Sequence, residues 1–116
     1  MVNFKNIKSE LDGKNEWDRS LAISKVDKAL NEGKNIKGVF DLFPGLLFEV
    51  SDGVDEFNVK GVIIKYLNKK DDDSLKRSTY KQLEDRLAKW KENKSTMKIE
   101  NKRKLIDDIK RLTSPL

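Results

Sequence analysis

SLKRSTYKQLEDRLAKWKEN, residues 74–93, is the stretch that decides the fold class. Its large apolar side chains recur at spacings of three and four residues, which is the period of one face of an α-helix. These residues are Tyr80, Leu83, Leu87 and Trp90. Ser74 at its beginning, and the three aspartates at residues 71–73 directly before it, can supply an N-cap. The pattern lasts only two heptads, so it indicates packing within a helical bundle and not a long coiled coil.

A second amphipathic segment follows toward the C-terminus. Ser95 or Thr96 can begin it, and Thr113-Ser114-Pro115 ends it. Its apolar face is formed by Leu105, Ile106, Ile109 and Leu112. The sequence therefore predicts a C-terminal pair of helices within residues 74–113.

Helices are also predicted toward the N-terminus. Residues 3–12 carry a stripe at helical spacing, formed by Phe4, Ile7 and Leu11. Asn15 can cap a helix over residues 16–32, and Gly33 follows as its stop. Asn35 can cap a further short, mostly apolar helix that we predict over residues 36–43.

The middle of the chain allows two interpretations. Residues 44–50 contain an apolar run after Pro44, which fits one or two helical turns but also a buried strand. Beyond Gly53, a stripe at helical spacing favours a helix, although β-branched residues are dense there. We predict a single all-α domain over residues 1–116, a small bundle of about six helices. The alternative is an α+β fold with a β-hairpin in residues 46–67.

The residue types present exclude most catalytic machinery. The chain has no cysteine and no histidine, so disulfides, thiolate-bound metals and Ser-His-Asp or Cys-His arrangements are ruled out. No glycine-rich phosphate loop is present. Residues 71–73 could offer carboxylates to a divalent cation, but acidic residues before a helix are also what capping favours. We therefore expect no enzymatic activity, no cofactor and no metal site.

Hydropathy and charge set the expected environment. Charged residues make up 39% of the chain, with both signs interspersed. No apolar run approaches the roughly 18 residues that a membrane span needs, and no signal-peptide core is visible. The sequence therefore predicts a cytoplasmic protein that does not contact a membrane.

The charge is distributed unevenly along the chain. Residues 1–73 hold 12 basic and 14 acidic residues, whereas residues 74–116 hold 13 and 6. A basic helical pair can follow a phosphate backbone and release counterions. The candidate nucleic-acid contacts are Lys94, Lys98, Lys102, Arg103 and Lys110. The same charges also form i, i+4 pairs that are typical of an ordinary solvated helix face.

Trp17 and Leu21 form the other candidate surface, because they lie opposite the apolar stripe of their helix. We expect them to pack under residues 3–12, since large exposed apolar patches are uncommon on monomers. If they are exposed, they are candidate contacts for a protein partner. A chain that folds without catalytic groups must act through its surface. The leading hypothesis is therefore a small regulatory or adaptor protein that binds a protein partner stoichiometrically, and the alternative is a nucleic-acid-binding protein. The sequence does not define the partner or the oligomeric state.

Overall fold

The computed structural model describes residues 4–13, 15–92 and 94–114. Within these residues the chain forms a small all-α bundle of seven helices without strands, which confirms the predicted fold class. The helices are α1 (Phe4–Asp12), α2 (Glu16–Asn31), α3 (Lys37–Phe40), α4 (Phe43–Glu49), α5 (Gly53–Lys70), α6 (Asp73–Trp90) and α7 (Thr96–Thr113).

The helix ends follow the capping residues that the sequence offers. The Asn15 side chain accepts the amide protons of the first turn of α2, and the Ser95 hydroxyl accepts one from α7 at 3.3 Å. α2 ends at Asn31, and Gly33, two residues later, adopts a φ of 80° that side chains disfavour. Asp72 caps α6, within the run of residues 71–74 that the sequence predicts to supply the cap. The start of the first predicted helix at residue 3, and Pro115, lie outside the described residues.

The middle of the chain, for which the sequence allows helix or strand, forms the two helices α4 and α5. The predicted alternative with a β-hairpin in residues 46–67 is therefore wrong. Pro44 lies in the first turn of α4, where its missing amide proton costs no hydrogen bond. Asp52 then caps α5 by accepting the amides of Val54 and Asp55. The helix predicted over residues 36–43 is shorter, Lys37–Phe40, because Phe43 begins a separate helix. The described part of the chain therefore has one helix more than the predicted six.

α5 is the central helix and contacts α2, α4 and α7. Polar contacts show in which direction α5 runs relative to its neighbours. Ser20 bonds Asp55 near the start of α2 and α5, and Asp27 pairs with Lys65 farther along both helices. The two helices therefore run parallel.

α7 lies on the other side of α5 and also runs parallel to it. Lys60 pairs with Asp108 at 3.3 Å, and Asn68 donates to the carbonyl of Leu112 at 3.2 Å. α6 packs against α7 in the opposite direction, because Tyr80, in its first half, bonds Thr113 at the end of α7.

The buried side chains form one cluster, to which every helix contributes. α5 supplies the stripe that the sequence predicts, formed by Val59, Val62, Ile63, Tyr66 and Leu67. Burial of one such aliphatic side chain stabilises a fold by about 1.5–3 kcal/mol. The smallest extent of the molecule is only 19 Å, close to two helix diameters. Most helices therefore keep one face in solvent.

Candidate binding surfaces

Trp17 and Leu21 lie on the solvent side of α2, where they are 73% and 44% exposed. The prediction that they pack under the first helix is wrong. α1 contacts α2, and its Ile7 and Leu11 are buried in the same cluster as the apolar stripe of α2. α5 also contacts α2, and the side of α2 that carries Trp17 and Leu21 remains exposed.

Two further exposed apolar residues lie on α5, the helix beside α2. Val54 and Phe57, in the first turns of α5, are 68% and 66% exposed. The Ser20 hydroxyl lies 2.9 and 2.7 Å from the two carboxylate oxygens of the buried Asp55, which holds these turns beside the start of α2. We call the resulting surface the apolar patch; its members are Trp17, Leu21, Val54 and Phe57. Sequence reasoning missed the last two, although Phe57 falls outside the stripe of its helix.

Lys102 lies inside the bundle, so its predicted place on a nucleic-acid surface is wrong. It is 4% exposed, and its ammonium donates to the carbonyls of Leu47 and Val50 at 2.6 and 2.9 Å and to the Glu56 carboxylate at 2.6 Å. These three acceptors match the three protons of the ammonium group. The end of α4 has carbonyls without helical partners, and the ammonium of Lys102 satisfies two of its backbone carbonyls.

Arg103 and Lys110 are held by a carboxylate of the neighbouring helix. Arg103 forms two hydrogen bonds to the two oxygens of Glu84, at 2.5 and 2.9 Å, and Lys110 forms one at 2.8 Å. The hydrogen bond from Arg103, and then that from Lys110, lowers the pKa of Glu84 from 4.5 to about 2. These two predicted nucleic-acid contacts therefore connect α6 to α7, and part of their charge is neutralised.

A cavity of about 460 Å³ lies where the ends of α4 and α6 meet the starts of α5 and α7. We call it the lysine groove. Its apolar lining includes Phe48, Val50, Trp90 and Met97, and its charged lining consists of Lys94, Lys98, Lys102, Glu49 and Glu56. Three of the five predicted cations, namely Lys94, Lys98 and Lys102, therefore come together here.

Trp90 is the centre of the lysine groove. The ammonium of Lys94 lies 5.2 Å from its ring centroid and that of Lys102 lies 5.7 Å away. Phe48 packs against the same indole, with the centroids 6.0 Å apart and the rings inclined by 54°. These contacts fix an aromatic surface and a cation next to each other, which is an arrangement that suits a ligand with an apolar part and a negative charge.

Two of the three aspartates at residues 71–73 have structural partners. Asp72 caps α6 through the amide of Leu75, and the Asp71 carboxylate lies 3.2 Å from the ammonium of Lys76. Among the residues that the structure describes, no group of three or more acidic side chains is arranged to hold a metal ion.

Comparison with known proteins gives no match: no family model, curated protein or solved structure resembles this chain. Within the described ranges, no helix combines the length and the apolar character that crossing a membrane requires. The functional inference therefore depends on the apolar patch and the lysine groove.

Proposed function

We propose that this protein acts without catalysis, by binding a protein partner stoichiometrically through the apolar patch. One observation carries the proposal: four large apolar side chains, between 44% and 73% exposed, lie near the starts of α2 and α5, which Ser20 and Asp55 hold together. Single exposed apolar residues are common, but contiguous groups mark interaction sites. Trp17 supplies the residue type that is most enriched among residues that dominate binding energy. A cytoplasmic location is part of this proposal.

The size of the apolar patch fits the centre of an ordinary interface. Aromatic side chains bury about 150–250 Å² each when they are fully covered. With the lower end of this range for Leu21 and Val54, the exposed fractions leave roughly 400–500 Å² for a partner. A standard interface buries about 800 Å² on each partner. The apolar patch therefore supplies about half of such an interface, and neighbouring polar side chains supply its rim.

The test is capture from native cell extract by the full-length chain, with nuclease treatment of the extract. The variant is Trp17→Ala with Phe57→Ala, and the matched control is Met97→Ala, because Met97 is also 73% exposed but lies in the lysine groove. We expect the wild type and Met97→Ala to retain a partner that the double variant loses. Circular dichroism should show an unchanged fold, since both replaced side chains are exposed.

Two results would contradict this proposal. Equal capture by the wild type and the double variant would show that the apolar patch does not contact the partner. Sedimentation of the wild type alone as a dimer, and of the double variant as a monomer, would assign the patch to contact between two copies of this chain.

Nucleic-acid binding stays the alternative hypothesis, and the geometry supports it less well than protein binding. One of its five cations is buried and two are bound to Glu84. Phosphate contacts are strongest at low salt, so a mobility-shift assay under that condition tests the hypothesis directly. We expect no shift of DNA or RNA.

A further inference from the structure

We propose that the lysine groove binds a small organic anion: a carboxylate with an aliphatic or aromatic body. This site shares no residue with the apolar patch, so the proposal does not depend on the protein partner. The volume of about 460 Å³ lies within the range of cavities that hold small molecules. The ends of four helices line it.

The apolar part of the ligand would contact Phe48, Trp90 and Met97. Phe48 is 8% exposed and forms part of the floor of the groove, whereas Met97 is 73% exposed at its rim. An unbranched, polarisable methionine can adjust to ligands of different shape. Covering these side chains removes apolar surface from water, which favours binding of a ligand with a hydrocarbon body.

The charged part of the ligand would contact Lys94 and Lys98. Both are exposed, and neither has a carboxylate partner among the described residues. Lys102, by contrast, uses its ammonium on Glu56 and two carbonyls. Lys94 is already held over the Trp90 ring, which places a cation directly beside the apolar surface.

The same geometry disfavours a polyanion such as a nucleic acid. Glu49 and Glu56 also line the lysine groove and repel additional negative charge. A ligand with one carboxylate satisfies the two free cations without bringing further charge close to the glutamates.

Trp90 provides the signal for the test. The chain has two tryptophans, so Trp17→Phe leaves Trp90 as the only one, and its emission reports on the lysine groove. We expect decanoate to change this emission saturably. Decanol, which has the same chain without a charge, should bind at least tenfold more weakly, and decyltrimethylammonium should not bind. Equal affinity for decanoate and decanol would overturn the proposal.

Charge reversal locates the site. Lys94→Glu with Lys98→Glu should weaken decanoate binding at least tenfold, while the fold observed by circular dichroism stays unchanged. The matched control is Lys81→Glu with Lys89→Glu, two exposed lysines of α6 outside the groove; it should change the affinity less than twofold.

Equal losses in both double variants would mean that net charge alone attracts the ligand, and the proposed site would be wrong. The protein could instead bind an acidic peptide, but not decanoate, in a way that depends on Lys94 and Lys98. This result would overturn the small-molecule proposal and indicate a peptide site. Phe57→Ala should leave decanoate binding unchanged, so failure of either proposal can be distinguished from failure of the other.

Discussion

Replacement of Lys102 by methionine removes the ammonium group that joins the end of α4, the start of α5 and α7, while it keeps an unbranched side chain in the same space. The Glu56 carboxylate then loses its cation. The carbonyls of Leu47 and Val50 lose donors at 2.6 and 2.9 Å. We therefore expect Lys102→Met to destabilise the protein although it makes a buried position more apolar.

The magnitude follows from what remains after the substitution. Breaking a buried ion pair by removal of one partner costs about 3–5 kcal/mol. Here the Glu56 side chain keeps 20% of its surface exposed and lines the lysine groove, so water can hydrate its carboxylate. We expect a loss of about 2–3 kcal/mol, below the range for fully enclosed pairs. Additional replacement of Glu56 by glutamine should recover part of this loss, because the unpaired charge is then removed.

Urea unfolding followed by circular dichroism measures the effect. With an m-value of about 1.5 kcal/mol/M, the midpoint should fall by roughly 1–2 M. Lys98→Met is the matched control, since it removes an exposed ammonium one turn earlier in α7 and should change stability by less than about 0.5 kcal/mol. A loss below about 1 kcal/mol for Lys102→Met, or an equal loss in the control, would refute the structural role of this lysine.

Two contacts between α6 and α7 give further predictions. Because Arg103 and Lys110 lower the pKa of Glu84 from 4.5 to about 2, its ionisation stabilises the fold above the higher value and loses this effect as the pH falls toward the lower one. The stability advantage of the wild type over Glu84→Gln should therefore shrink between these pH values in acid titrations of the unfolding midpoint, and a pH-independent difference would contradict this cause. Tyr80→Phe should lower the free energy of unfolding in urea by about 1 kcal/mol. The hydroxyl of the buried Thr113 donates to the Ile109 carbonyl and accepts from Tyr80, and this second bond is lost. Unchanged stability would show that the bond does not stabilise the fold.

The sequence predicts helices where caps and apolar stripes agree. Asn15, Gly33 and Ser95 mark helix ends because their local hydrogen bonds or backbone angles depend only on neighbouring residues. The segment of residues 44–50 has no such periodic signal. Its apolar side chains follow one another directly, and α4 is buried on nearly all sides, so only its tertiary contacts decide between helix and strand.

The burial of Lys102 could have been predicted from its position in the sequence, although a charged residue is normally expected at the surface. Lys102, Ile106, Ile109 and Thr113 follow an i, i+4, i+7, i+11 pattern, and all four are buried in α7. A lysine in such a stripe points inward, where acceptors from other helices must satisfy it. The exposure of Trp17 has no comparable local signal, because it depends on which side of α2 the first helix covers.

The two proposed binding surfaces meet at the first turn of α5. Asp55 holds Ser20 beside the apolar patch, and the next residue, Glu56, holds Lys102 in the wall of the lysine groove. Consecutive residues on a helix point about 100° apart, so one turn connects to α2 on one side and to α7 on the other. Substitution of either carboxylate would disturb the backbone that supports both surfaces. Exposed side chains outside this turn, such as Trp17 and Lys98, can therefore separate the two functions, whereas Asp55 and Glu56 cannot.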